Sequence, residues 1–139
     1  SFELHDGKLA YAQMLLARAR AHSPSKGEFY HLQALLLIKQ GSVKDARQTL
    51  EEGLRVDSRH VPLYRVLGSL LDAANEVEAA RKVFKDGLRL QPNYAQIYHA
   101  WARLEARLLN WEGLAELNTM ARREFPPDNL PPLSAGIRE

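Results

Sequence analysis

The side chains that could do chemistry are gathered in a few places. Between Ala95 and Asn110 the chain reads AQIYHAWARLEARLLN, with Tyr98 and Trp101 three residues apart, Glu105 four further on, and His99, Arg103 and Arg107 among them. Aromatics interleaved with cations can stack on bases and grip phosphates, or they can be packing that carries charge on its outer face. The sequence holds no catalytic constellation. The histidines at 5, 22, 31, 60 and 99 include no i,i+4 pair and no His-Glu-x-x-His, and a chain without cysteine offers neither Cys-ligated zinc nor a thiol nucleophile. There is no Gly-x-x-x-x-Gly-Lys phosphate loop, no Gly-x-Gly-x-x-Gly after a strand and no Gly-x-Ser-x-Gly elbow. Glu51-Glu52 and Glu112/Glu116 are acidic pairs of the kind that solvated helix faces carry. The expectation is a chain that is not an enzyme and takes no metal, cofactor or small-molecule substrate.

Composition bounds the partners. Hydrophobic residues make up 45% and charged residues 26%, an ordinary globular balance. A net charge of +2 is too small an excess to imply a polyanion by itself, so any argument for RNA rests on where the cations sit. The densest apolar run, Leu35–Ile38, is closed by Lys39 and Gln40. It falls far short of the roughly 18 residues that span a bilayer, and no transmembrane segment is expected.

The elements that must position these side chains recur with a fixed period. Tyr30, Tyr64 and Tyr98 are 34 residues apart, as are Ala12, Ala46 and Ala80; Leu16, Leu50 and Phe84; and Ala19, Gly53 and Gly87. Pro24, Ser58 and Pro92 continue the series, and one extra residue between Tyr98 and Asn110 would carry the next proline to Pro127. Each unit reads as two helices, with bulky residues at helical spacing in FYHLQALLLIKQ, LYRVLGSLLDAA and IYHAWARLEARLL and again in VKDARQTLEEGLRV and VEAARKVFKDGLRL. Ser25 with Glu28 and Ser42 with Asp45 form capping boxes, Asn75 with Glu78 and Asn93 with Gln96 imitate them, and Pro62 suits a first turn. Glycine inside a helix costs about 1 kcal/mol relative to alanine, so Gly53 and Gly87 imply helices that must approach closely. The fold expected is all-α, an α-solenoid of antiparallel helix hairpins: a partial first repeat at 1–24, repeats at 25–58, 59–92 and 93–127, and a proline-rich extended tail at 128–139.

Unit 61–94 contains Tyr64-x-x-Leu67-Gly68-x-x-Leu71, Ala80-x-x-x-Phe84 and Pro92, and so resembles the tetratricopeptide repeat. Tyr98-x-x-Trp101-Ala102-x-x-Glu105 and Ala80-Arg81-x-x-Phe84-x-x-Gly87-Leu88, the latter repeated from Ala46 to Leu54, are similar to the half-a-tetratricopeptide (HAT) variant. The resemblance spans roughly residues 1–127, although Gln33-Ala34 replaces a Leu-Gly pair and Trp111–Phe125 lacks the Ala-Arg-x-x-Phe signature, as a closing repeat would. It implies a scaffold in RNA metabolism, closest to chloroplast factors that protect or process transcripts. That points to an organelle, chloroplast or mitochondrion, with the nucleus as alternative. Glu3 lies three periods before Glu105, so the chain is expected to begin inside a first helix. The faces of Leu9, Leu15 and Leu16 would then be covered by further repeats of the same chain or by neighbouring subunits.

The same resemblance places the residue after each leading aromatic on a concave wall. Here those residues are His31, Arg65 and His99; one or two turns on stand Arg103, Arg107 and, in the second unit, Lys39. They are the candidate contacts for single-stranded RNA or a protein partner, against the plain reading of a solvated helix face that Asp72 and Glu28 dilute. Arg47, Arg55, Arg81, Lys82, Lys85 and Arg89 form a second basic stripe, which Glu51–Arg55 and Glu78–Lys82 pairs would neutralise. A chaperone-peptide clamp is not expected, since Leu35 and Ser69 stand where asparagines would be needed. The tail, FPPDNLPPLSAGIRE, cannot continue a helix, and Leu130, Leu133 and Ile137 could lie on this array or on a neighbour.

Overall fold

The computed structural model describes residues 25–125, together with Ala10, Met14 and Ala17. The partial first repeat with Glu3, Leu9, Leu15 and Leu16, and the tail with Leu130, Leu133 and Ile137, lie outside the described residues. Six helices make up the rest: α1 (Lys26–Lys39), α2 (Val43–Val56), α3 (Val61–Ala73), α4 (Val77–Leu90), α5 (Ala95–Arg107) and α6 (Trp111–Glu124). There is no strand among the described residues. The fold class is the all-α helical-repeat one expected from the periodicity. The chain divides into two compact units, Ser1–Leu67 and Gly68–Glu139, the boundary falling within α3.

The repeat is set at its turns. α2, α4 and α6 begin at Val43, Val77 and Trp111, and end at Val56, Leu90 and Glu124, each 34 residues after the last. The extra residue expected between Tyr98 and Asn110 is therefore not there, and Pro126, 34 after Pro92, keeps the register instead. Each of the turns entering these helices is the same Schellman motif. Ser42 N donates to Leu37 O at 2.8 Å and Gly41 N to Ile38 O at 3.0 Å; Glu76 and Asn75 repeat this onto Leu71 and Asp72, and Asn110 and Leu109 onto Glu105 and Ala106. The pattern needs a left-handed residue, and Gly41, Asn75 and Leu109 have φ of 86°, 61° and 57°.

That geometry corrects the expected caps. Ser25 does accept from Glu28 N, at 3.1 Å. Asn75, however, is the left-handed turn residue, a conformation asparagine tolerates, and Glu76 takes the N-cap position after it. Ser42 makes no side-chain cap bond, and Tyr94 rather than Asn93 precedes α5. Asn110 caps α6 by accepting from Gly113 N at 3.1 Å.

In the first unit α1 packs on α2 over Leu32, Ala34, Ala46 and Leu50. A Cβ at Gly53 would lie 2.7 Å from Tyr30 Cβ, which is the close approach its mid-helix glycine requires. In the second unit Phe84 of α4 fills the space beside Gly68, where a Cβ would collide with its ring. Phe84, Tyr98 and Leu104 are fully enclosed, and burying side chains of that size contributes about 1.5–3 kcal/mol each. The repeat tyrosines also tie down the turns between hairpins: Tyr64 Oη donates to Ser58 O, and Tyr98 Oη to Pro92 O, both at 2.7 Å.

Candidate functional site

The geometry of α5 is fixed from behind by one buried carboxylate. Glu105 is 3% exposed and sits on the inner face of the helix. Arg81 of α4 grips it with both branches of its guanidinium, Nε to Oε2 at 2.9 Å and Nη2 to Oε1 at 2.7 Å. Trp101 Nε1 donates to Oε2 at 2.9 Å and Asn110 Nδ2 to Oε1 at 3.0 Å. Burial alone would push the Glu105 carboxyl up; the hydrogen bonds from Arg81, Asn110 and Trp101 outweigh it and hold the group below the usual carboxylate range. Glu105 in turn raises the Arg81 guanidinium, and Glu78 on the solvent side adds to this. Three of the side chains that matched the HAT pattern, Arg81, Trp101 and Glu105, are thus one network, joined by the Asn110 cap. Trp101 also stacks on Phe84, with centroids 6.2 Å apart.

Residues two before and two after a buried position on a helix point away from it. Arg103 and Arg107 accordingly project from the outer face of α5, into a groove of about 350 Å³ in the second unit. Ser69, Asp72 and Ala73 from the end of α3 form its opposite wall, with Asn75 in the turn and Ala100 of α5 at its base. Arg107 crosses the groove: Nη2 donates to Asp72 Oδ1 at 2.7 Å and Nη1 reaches Asn75 Oδ1 at 3.5 Å. Arg103 is exposed and makes no ion pair among the described residues. The groove is therefore of mixed charge, with one arginine committed to a carboxylate and a second available beside it.

The other expected contacts stand elsewhere. His99 is half-buried on the same face of α5 as Arg103, a turn earlier, and does not line the groove. His31, Lys39 and Arg65 belong to the first unit: His31 lies with its ring 6.2 Å from that of His60, Lys39 ends α1 in solvent, and Arg65 is half-buried in α3. Asp72 and Asn75 were the residues whose part the sequence concealed. Asn75 reads as a cap and Asp72 as dilution of the wall's charge, although the separation of Asp72 from Arg107, 35 residues, is close to one period and places them on neighbouring helices.

The basic stripe of second-helix residues pairs differently from expectation. Glu51 is taken by Arg47 at 3.8 Å rather than by Arg55, and Glu78 by Arg81 rather than by Lys82. Lys82 and Arg89 both turn to Asp86, at 3.0 and 3.4 Å. These are exposed contacts worth little individually. Among the described residues no group of three or more His, Asp or Glu side chains is placed to hold a metal ion, and no helix is long and apolar enough to cross a membrane.

Comparison with known proteins agrees with this architecture. The sequence profile described as tetratricopeptide repeat matches residues 37–108, half of the chain, including the groove's α3 wall and all of α5. No curated protein matches the chain.

Proposed function

Because the chain belongs to the tetratricopeptide repeat family, whose helical repeats are generally non-enzymatic scaffolds for protein interaction, we propose that its second unit docks a segment of a partner protein in the groove between α3 and α5. The observation that carries this reading is the Arg107–Asp72 pair beside the uncommitted Arg103. A peptide can offer an acidic side chain to Arg103 while its backbone N–H and C=O groups meet Asn75 and Ser69. A run of phosphates would meet the Asp72 carboxylate as well as the arginines, and would have to displace it from Arg107.

A second reading keeps RNA on this surface. It is favoured by His99, Arg103 and Arg107 recurring every four residues, which lines them up along one face of α5. The HAT-like residues imply a single-strand contact, for which His31, Lys39 and Arg65 are the first unit's own candidates, in an RNA-handling assembly of a chloroplast or mitochondrion or, alternatively, the nucleus. Titration of the chain with a single-stranded oligoribonucleotide separates the two. RNA contact through these residues, the lysine and arginines carrying the charge, predicts affinity that falls roughly tenfold to a hundredfold between 50 and 200 mM salt, and that Arg65→Glu with Arg103→Glu abolishes. Protein docking predicts no such salt-dependent complex.

A further inference from the structure

An apolar slot of about 250 Å³ lies in the second unit where α4 ends, α5 begins and α6 ends, and it shares no lining residue with the groove. Leu88 and Tyr98, both buried, form its floor, with Pro92 and the half-buried Met120 at its sides. The Tyr98 hydroxyl is already donated to Pro92 O at 2.7 Å, so the tyrosine has no donor left to offer an occupant. The slot is below the usual size of a small-molecule pocket and of a size for one or two aliphatic side chains.

The rim around it is cationic. Lys85 and Arg89 stand on α4 and Arg123 on α6, against the single acid Glu124. Arg89 is engaged by Asp86 at 3.4 Å, and Asp86 is shared with Lys82. Lys85 and Arg123 are exposed and make no ion pair among the described residues. A cation in the last turn of a helix offsets the helix dipole, which accounts for Arg89 and Arg123 one helix at a time. It does not account for Lys85, a turn earlier, or for cations from two helices lining one apolar slot.

We infer that this slot is a second docking site, for a segment of a partner protein in which one aliphatic side chain is flanked by acidic residues. The aliphatic side chain seats over Leu88 and Tyr98, and the acids beside it reach Lys85 and Arg123. Charge complementarity selects this occupant: a neutral segment would leave both cations without partners, and a basic one would be repelled by them. The site does not depend on what the groove binds.

The test is a titration of the isotope-labelled full chain, followed by NMR, with a synthetic peptide carrying one leucine between two pairs of acids. The amide signals of Leu88, Tyr98 and Met120 should shift saturably as the peptide is raised to about 1 mM, where a Kd of that order gives half-saturation. Replacing the peptide's leucine by serine, or its acids by lysine, should weaken binding at least about tenfold. Lys85→Glu with Arg123→Glu, both at exposed positions, should invert the preference, so that the lysine-flanked peptide binds at least about tenfold more tightly than the acidic one. Equal binding of the leucine and serine peptides would overturn the site, as would an unchanged preference in the double variant or the absence of shifts at the three residues. Shifts at Arg103 and Arg107 in their place would give the peptide to the groove, and shifts at the three residues on concentrating the chain alone would give the slot to a second copy; either result contradicts the proposal.

Discussion

Glu105 joins α4, α5 and the turn into α6 within the second unit. Its carboxylate is enclosed, accepts from Arg81, Trp101 and Asn110, and through Asn110 reaches the cap of α6. Glu105→Gln keeps the shape and removes the charge, leaving the Arg81 guanidinium with only Glu78; the expected loss is roughly 2–3 kcal/mol in urea unfolding. Because the folded carboxyl titrates below its ordinary value, this stabilisation is complete above the ordinary carboxylate value of 4.5 and is lost as pH falls through the lower, folded value. The stability gap between wild type and Glu105→Gln should therefore be constant at neutral pH and close below about pH 4.5; a gap independent of pH would mean that the charge is not what matters. The sequence marked Glu105, Trp101 and Arg81 through their repeat positions. It could not show that they form one network, because a 24-residue separation between Arg81 and Glu105 becomes a contact only once α4 and α5 are packed.

At the scale of the helix, the turns at 41, 75 and 109 carry one conformation with three different residues. Glycine adopts it without strain and asparagine tolerates it, whereas leucine costs roughly 1–2 kcal/mol there. Leu109→Gly should raise stability by about 0.5–1 kcal/mol and Asn75→Ala should lower it by a similar amount, read from thermal unfolding. Leu109→Gly that destabilises would show that its exposed side chain makes a contact worth more than the strain. The period of these turns was legible because packing forces it: alanine and glycine must recur wherever helices approach. The caps were less so, since an asparagine before a helix serves equally as N-cap or as the left-handed residue one position earlier. Exposed ion pairs were the least legible, as each long side chain has several partners within reach and the sequence does not rank them.

For the whole molecule, the tetratricopeptide family and its helical repeats make a scaffold, and the function assigned to it rests on what the groove of Asp72, Asn75, Arg103 and Arg107 receives. Six residues, four of them Lys or Arg, were expected to share one surface; two of them, Arg103 and Arg107, line this groove, and one of those is held by an acid. Spacing could align residues along one helix, but the acid that neutralises an arginine comes from another. Charge reversal at Arg103 should weaken partner binding at least about tenfold, the loss of a charged hydrogen bond, while leaving the unfolding midpoint unchanged, since nothing in the fold leans on this side chain. The most direct test is a photo-crosslinking residue placed at position 103 of the full chain in its native cell, with position 115 on the exposed face of α6 as control. The account predicts a position-specific adduct with a peptide of one partner protein that survives ribonuclease treatment; adducts with RNA alone, or the same pattern from both positions, would contradict it.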